Sequence, residues 1–276
     1  MKILISFDLE GVAGVVNWQE TESKSPRYSA VCKQGTAEVN AAIAGAREVN
    51  PDIEFLIADS HATGTNLLPE ELDPTVSIIR GTPRSLYMMH GIDDTIDAVF
   101  YIGYHSMVGS EASPMDHTYS GAVVHRATVN GVAMSELDIN ARVAGHFGAR
   151  LGMVTGNQDI CDHARSLYGQ AFATVSTKRG ISRFAAECRP LRDVIEDIHK
   201  SAGDAIRMFD HLPVVAENLP IVGEIEYLST VMADLASMVQ TVTRIDGRTL
   251  RFEVPDMPTY YKTFMTCVIM GAAARQ

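Results

Sequence analysis

The stretch Lys2-Ile-Leu-Ile-Ser-Phe-Asp8-Leu-Glu10-Gly11 reads as an apolar strand whose carboxyl end carries two acids and then a glycine. Side chains alternate along a strand, so Asp8 and Glu10 point the same way. Two ionised carboxylates on one face repel unless a cation or a shared proton lies between them, and burying them unpaired is costly. The pair marks a candidate cation site; a solvated strand end is the plainer reading.

Outward from this strand, Val39, Ala42, Ile43 and Ala46 form an apolar stripe at helical spacing, predicting a helix from about Tyr28 to Glu48 that Asn50-Pro51 closes. A second strand, Ile53–Ala58, runs directly into Asp59-Ser60-His61. Strand, helix, strand without a hairpin turn implies a parallel pair joined by a crossover. Val76–Arg80 gives a third, shorter strand, and Thr82-Pro83 predicts a helix ending near Gly91. Ala98–Ile102 is the next strand and runs into Gly103-Tyr104-His105. Sites in open α/β sheets lie outside the carboxyl ends of the strands, so the acids and histidines at these ends should converge.

Residues 106–120 read as a loop carrying His117, and a hairpin follows with Asn130-Gly131 at its turn. Its exit leads to Ser135-Glu136, which opens a helix that Ser135 can cap; Gly152–Thr155 and a helix from about Asp159 to Leu167 continue the alternation. The texture then changes. Strands at Phe172–Thr177, Ile221–Tyr227 and Thr241–Val254 (broken at Asp246-Gly247), with helices over Leu191–Phe209 and Tyr260–Ala273, suggest an α+β unit. The expected organisation is an α/β, largely parallel, metal-binding catalytic domain over 1–165 and a smaller α+β domain over 166–276.

The 276 residues are 46% hydrophobic and 21% charged, the balance of an ordinary globular protein. A formal charge of −11 argues against nucleic acid or an anionic membrane as partner. No run approaches the roughly 18 apolar residues of a spanning helix, and the direct entry into a strand leads us to expect no leader. Cys32, Cys161, Cys188 and Cys267 form no CxxC pair, which fits reduced thiols and a cytoplasmic location.

Of nine histidines, His90, His125, His146, His163, His199 and His211 have contexts that call for structural or solvated roles. His61 and His105 stand out because each follows an apolar strand. His117 divides between loop filler and a catalytic or ligating role, and Glu136 between a partner of the helix dipole and a ligand. Asp8, Glu10, His61, His105 and Glu136 make a mixed oxygen and imidazole set suited to zinc, manganese or cobalt. Five ligands exceed the three of a usual catalytic zinc. Two metals sharing a carboxylate, roughly 3.5–4 Å apart, account for all five and can hold a hydroxide between them. Hydrolysis of an amide or a phosphoester is the natural reaction class.

Phe7-Asp8-Leu9-Glu10-Gly11 is superficially similar to the first motif of haloacid-dehalogenase phosphatases. Glu at position 10, Val at 12 and Asn157 in the late Gly156-Asn-Gln-Asp159 segment depart from that pattern. The chain more closely resembles the D-aminopeptidase family of bacterial dipeptide-transport operons. The resemblance rests on Phe7-Asp-Leu-Glu-Gly-Val-Ala-Gly14, Thr36-Ala-Glu-Val-Asn-Ala-Ala-Ile43, Asp59-Ser-His61, Gly103-Tyr-His105, the His117 loop, Ser135-Glu-Leu-Asp-Ile-Asn-Ala141 and Ile181-Ser-Arg183, in that order. It implies a Rossmann-like domain with a smaller α+β domain and a ring of identical subunits, with a decamer as the expected size. It also implies two zinc ions per subunit, with Asp8 bridging, Glu10, His61, His105 and Glu136 completing the shells, and His117 catalytic. The implied activity is removal of an N-terminal residue, D-alanine for example, from short peptides or amides. Asp116 beside His117 departs from the small residue expected there, and an acid so placed would raise the histidine's pKa. Hydrolysis of another small or cyclic amide, and metal-dependent binding without turnover, are the alternatives.

Overall fold

The first strand, Lys2–Phe7 (β1), sends alternate side chains into two different cores. Ile3, Ile5 and Phe7 enter one, while Leu4 enters the other, as a strand covered on both faces requires. The computed structural model describes residues 1–274. In chain order, β1 is followed by a short helix Trp18–Thr21 (α1), the long helix Tyr28–Val49 (α2), and strands Glu54–Asp59 (β2), Ser77–Ile79 (β3) and Ala98–Tyr104 (β4). A hairpin Val124–Val129 (β5) and Val132–Ala133 (β6) leads to helix Glu136–His146 (α3), strand Arg150–Asn157 (β7) and helix Gln158–Tyr168 (α4). Strands Ala173–Ser182 (β8) and Ala185–Cys188 (β9), helix Leu191–Arg207 (α5) and strand Ile221–Tyr227 (β10) come next. Helix Thr230–Ala236 (α6), strands Thr243–Arg244 (β11) and Thr249–Val254 (β12), and helix Met257–Ala273 (α7) complete the chain.

The strands form a seven-stranded sheet, β3-β2-β1-β4-β7-β8-β9, and a five-stranded one, β11-β12-β10-β5-β6. The first is parallel from β3 to β8, and β9 joins it antiparallel. The second is antiparallel throughout. Helices α2 and α5 bury one face of the parallel sheet, with Val39, Ala42, Ile43 and Ala46 against it. The other face shares a core with α3, α4, α7 and the inner face of the second sheet. That shared core, rather than a linker, joins the two layers.

Sheet membership does not follow the boundary expected near 165. β5 and β6 precede it yet belong to the second sheet, and β8 and β9 follow it yet complete the first. The exchange has a local cause. Asn130 and Gly131, at φ 49° and 80°, make the tight turn that sets β5–β6 as a hairpin against β10. β8, after α4, returns as one more parallel strand beside β7.

The helix expected from Thr82-Pro83 to Gly91 is a single 3-10 turn at Tyr87–Met89. Tertiary hydrogen bonds take the backbone groups a helix would have used: the Met88 carbonyl accepts from Ser6 Oγ, and its N–H donates to Tyr261 Oη. Residues 12–27 contain α1, where Asn17 and Glu20 make a reciprocal capping box.

Candidate metal centre

β1 ends at Phe7, one residue before the first acid, so Asp8 and Glu10 sit in the turn beyond the strand rather than on it. Backbone contacts fix that turn. Ser60 N donates to Phe7 O, Asp8 N to Ile102 O, and Gly11 N to Gly103 O. Main chain meets main chain here. A Cβ on Gly11 would lie 2.0 Å from Tyr104 O, and one on Gly103 would lie 2.1 Å from Asp8 O, so side chains are excluded at both positions. The strand order reverses between β1 and β4, and a crevice opens at such a switch point.

Into this crevice come all five expected ligands and His117. Asp8 Oδ1 lies 3.6 Å from His61 Nδ1, and its Oδ2 lies 3.4 Å from His105 Nε2. Glu10 Oε2 is 2.9 Å from His61 Nδ1. Glu136 Oε1 is 3.3 Å from His105 Nε2 and 3.5 Å from His117 Nε2. Asp8, Glu10, His105 and Glu136 are each no more than 4% exposed. Glu136 begins α3, where Ser135 and Asp138 form a capping box, and its Oε1 also accepts the Tyr119 N–H at 2.7 Å.

The imidazoles are pre-set. His105 Nδ1 donates to Ser106 O at 3.0 Å and His117 Nδ1 to Met115 O at 2.9 Å. A carbonyl can only accept, so Nδ1 of each ring carries a proton, and it is Nε2 that faces the crevice and offers a lone pair whenever the ring is neutral. The two rings stack 4.0 Å apart and nearly parallel, with the edge of Trp18 against His117.

Burial favours the neutral form of Asp8, but the imidazoles of His105 and His61 beside it outweigh burial and hold the carboxyl well below its usual range. Burial likewise opposes charge on His61 and His105, yet Glu10 with Asp8, and Glu136 with Asp8, push these histidines well above the ordinary value. His117 moves the other way: burial and the neighbouring His105 lower its pKa. The acid beside it does not raise it as expected. Asp116 turns away, pairing with Arg183 Nε at 2.9 Å and accepting the Gly109 N–H.

Do these groups suit a divalent metal? Asp8 Oδ2 and His105 Nε2 are buried without a hydrogen-bond partner, a costly state that a cation relieves. Asp8, Glu10 and His105 can gather one donor atom each around a point, and so can His105, His117 and Glu136. Carboxylate and imidazole together are zinc donors. The residues fit the group.

A cavity of about 710 Å³ opens above the cluster. Its walls include Trp18, Tyr87, Met88, Tyr119 and Arg183, none of which was singled out from residue type and spacing. Trp18 carried a usable local signal, lying between Asn17 and Glu20 of the capping box, and Arg183 lies in the Ile181-Ser-Arg183 segment that carries the family resemblance.

Comparison with known proteins supplies the remaining evidence. The solved structure of the Zn-dependent D-aminopeptidase DppA from Bacillus subtilis, a self-compartmentalizing protease, matches 99% of this chain and 98% of its own, with TM-score 0.94 and 26% identity. A D-aminopeptidase of Bacillus subtilis (strain 168) is 28% identical over 267 residues, 96% of each chain. The D-aminopeptidase family model matches residues 1–266. The chain therefore belongs to the D-aminopeptidase family of peptidases.

Proposed function

We propose that this chain is a zinc-dependent aminopeptidase that removes an N-terminal D-residue, such as D-alanine, from short peptides or amides. The observation carrying this reading is Asp8, whose two oxygens face histidines on opposite sides and whose Oδ2 is otherwise unpartnered. Asp8 is assigned as the shared ligand of two ions, with Glu10 and His61 completing one and His105 and Glu136 the other; manganese or cobalt are compatible substitutes. When bound, such ions supply Lewis acidity toward a carbonyl and acidify water at neutral pH.

The chain's own groups do the rest. His117 Nε2, with Nδ1 committed to Met115 O, receives a proton from the attacking water and returns it to the departing amine. Burial and His105 favour its neutral form, the form a base requires. Trp18, Met88 and Tyr119 shield the reacting groups from bulk water, and the cavity falls within the about 300–1,000 Å³ of small-ligand sites.

His117→Ala is expected to lose about 10²–10⁴-fold in kcat while keeping its metal. A specific observation favours one other reading. His117 Nε2 lies close enough to His105 and Glu136 to share a cation with them, and loss of metal from a folded His117→Ala would make it a ligand. Metal analysis alongside D- and L-aminoacyl amides tests the activity itself. Fully metallated protein that turns over neither series would point to binding without catalysis.

By extension from the self-compartmentalizing relative, we assign a homo-oligomeric ring, ten subunits being the size to test by light scattering. Among the described residues no helix is long and apolar enough to cross a membrane. The free thiols, three of them buried, support a reducing, cytoplasmic setting.

A further inference from the structure

Lys178, on β8, is fully buried, with two strands, β4 and β7, between β8 and β1 in the sheet order. An ammonium in such a place gives up its hydration and needs specific partners in exchange. Its Nζ donates to Glu10 O at 2.7 Å and to Val12 O at 2.8 Å. The carbonyl between them is taken by the preceding residue: Thr177 Oγ1 donates to Gly11 O at 2.6 Å. On the next residue, Ala13 N donates to the buried carboxylate of Glu38 at 2.9 Å. Three successive carbonyls of the turn that carries Glu10 are thus held by two adjacent side chains of one strand. Without these donors the Glu10 and Gly11 carbonyls would be left unpartnered, a costly state, and Val12 O would keep only the Val15 N–H.

We infer that Thr177 and Lys178 are positioning residues for the Glu10 carboxylate, fixing the turn from behind so that Glu10 meets His61 rather than swinging into the cavity. The inference rests on the reading of Glu10 as a ligand. It has a directional consequence. Asp8 is fixed by its own contacts to β4, His105 by Ser106 O and Glu136 by Tyr119 N, so loss of the clamp loosens only the Glu10–His61 half of the centre.

The test is titration of metal-free protein with Co²⁺ alone, followed by its visible absorption, which reports each occupied half. Native protein takes two equivalents. Lys178→Met is expected to bind one equivalent as before and the other about 10–100-fold more weakly, the range for partners that orient a ligand. Glu10→Gln should weaken the same equivalent, and adding Lys178→Met to it should cost little more, since the two changes act through one group. Thr177→Val, which removes a hydroxyl without changing shape, should weaken that equivalent several-fold and decides the matter if Lys178→Met does not fold. Equal binding by native, Lys178→Met and Thr177→Val proteins overturns the inference, as does equal weakening of both equivalents. Native protein that binds fewer than two equivalents overturns the two-metal reading itself, and the inference with it.

Discussion

β4 and β10 are each seven residues long and each occupies the middle of its sheet. Every residue of β4 is buried. Its neighbours run parallel to it, helices cover both faces, and its carboxyl end delivers His105. β10 alternates buried Ile221, Gly223, Ile225 and Tyr227 with partly exposed Val222, Glu224 and Glu226. Its neighbours run antiparallel, and Glu224 and Glu226 spend their charge on Arg251 and Arg248. A central place in a sheet does not make a site. Parallel neighbours that all end on one edge do, because β1, β2 and β4 then discharge their following residues into one crevice. The antiparallel sheet contributes indirectly, through the β5–β6 hairpin whose exit presents Glu136.

Substitutions can sharpen or break this contrast. Asp8→Asn alters the one carboxylate whose two oxygens each face a histidine and should cost the most. Activity is expected to fall by more than about 10³-fold with loss of bound metal, since even the outer partners of metal ligands are worth about 10–100-fold; retained metal and activity would dissociate the parallel sheet from the chemistry. Phe100→Ala, in the core beneath β4, should lower stability by about 3–5 kcal/mol in urea unfolding. Ser135→Ala removes the cap of α3, which joins the hairpin to Glu136, at a cost of about 0.5–2 kcal/mol, together with weaker metal binding; unaltered metal affinity would show that the hairpin exit does not set the ligand. Arg251→Gln, on the solvated face of the second sheet, should stay within about 0.5 kcal/mol by the same urea measurement.

The parallel half of the fold was legible because its signals are local. An apolar strand followed by an acid or histidine needs no distant partner to be recognised, and Asp8, Glu10, His61, His105, His117 and Glu136 do meet in one crevice. The hairpin turn at Asn130-Gly131 and the stripe on α2 were legible for the same reason. What escaped depends on partners far along the chain. Lys178 lies one residue past the strand expected at Phe172–Thr177, and nothing local marks it, because its partners Glu10 and Val12 lie far along the chain. Asp116 looked like a neighbour of His117, yet adjacent residues need not face each other, and Arg183 claims it. The turn at Tyr87–Met89 lost its helix to Ser6 and Tyr261, which lie 82 and 173 residues from Met88. The texture changes near residue 165, but the strands of the two sheets do not divide there, because sheet membership is settled by pairing between distant segments.

The contact between Gly11 and Gly103 bears on how such a centre can be altered. Backbone atoms touch there with no side chain between them, so the gap between the ends of β1 and β4 is a main-chain dimension that substitutions elsewhere can hardly stretch or shrink. Selection for a different metal would have to exchange donor atoms at fixed spacing, trading carboxylate for imidazole or the reverse, because no gradual route widens the seat. A library randomised at positions 11 and 103 should return glycine almost alone, while the neighbouring ligand positions remain open to search.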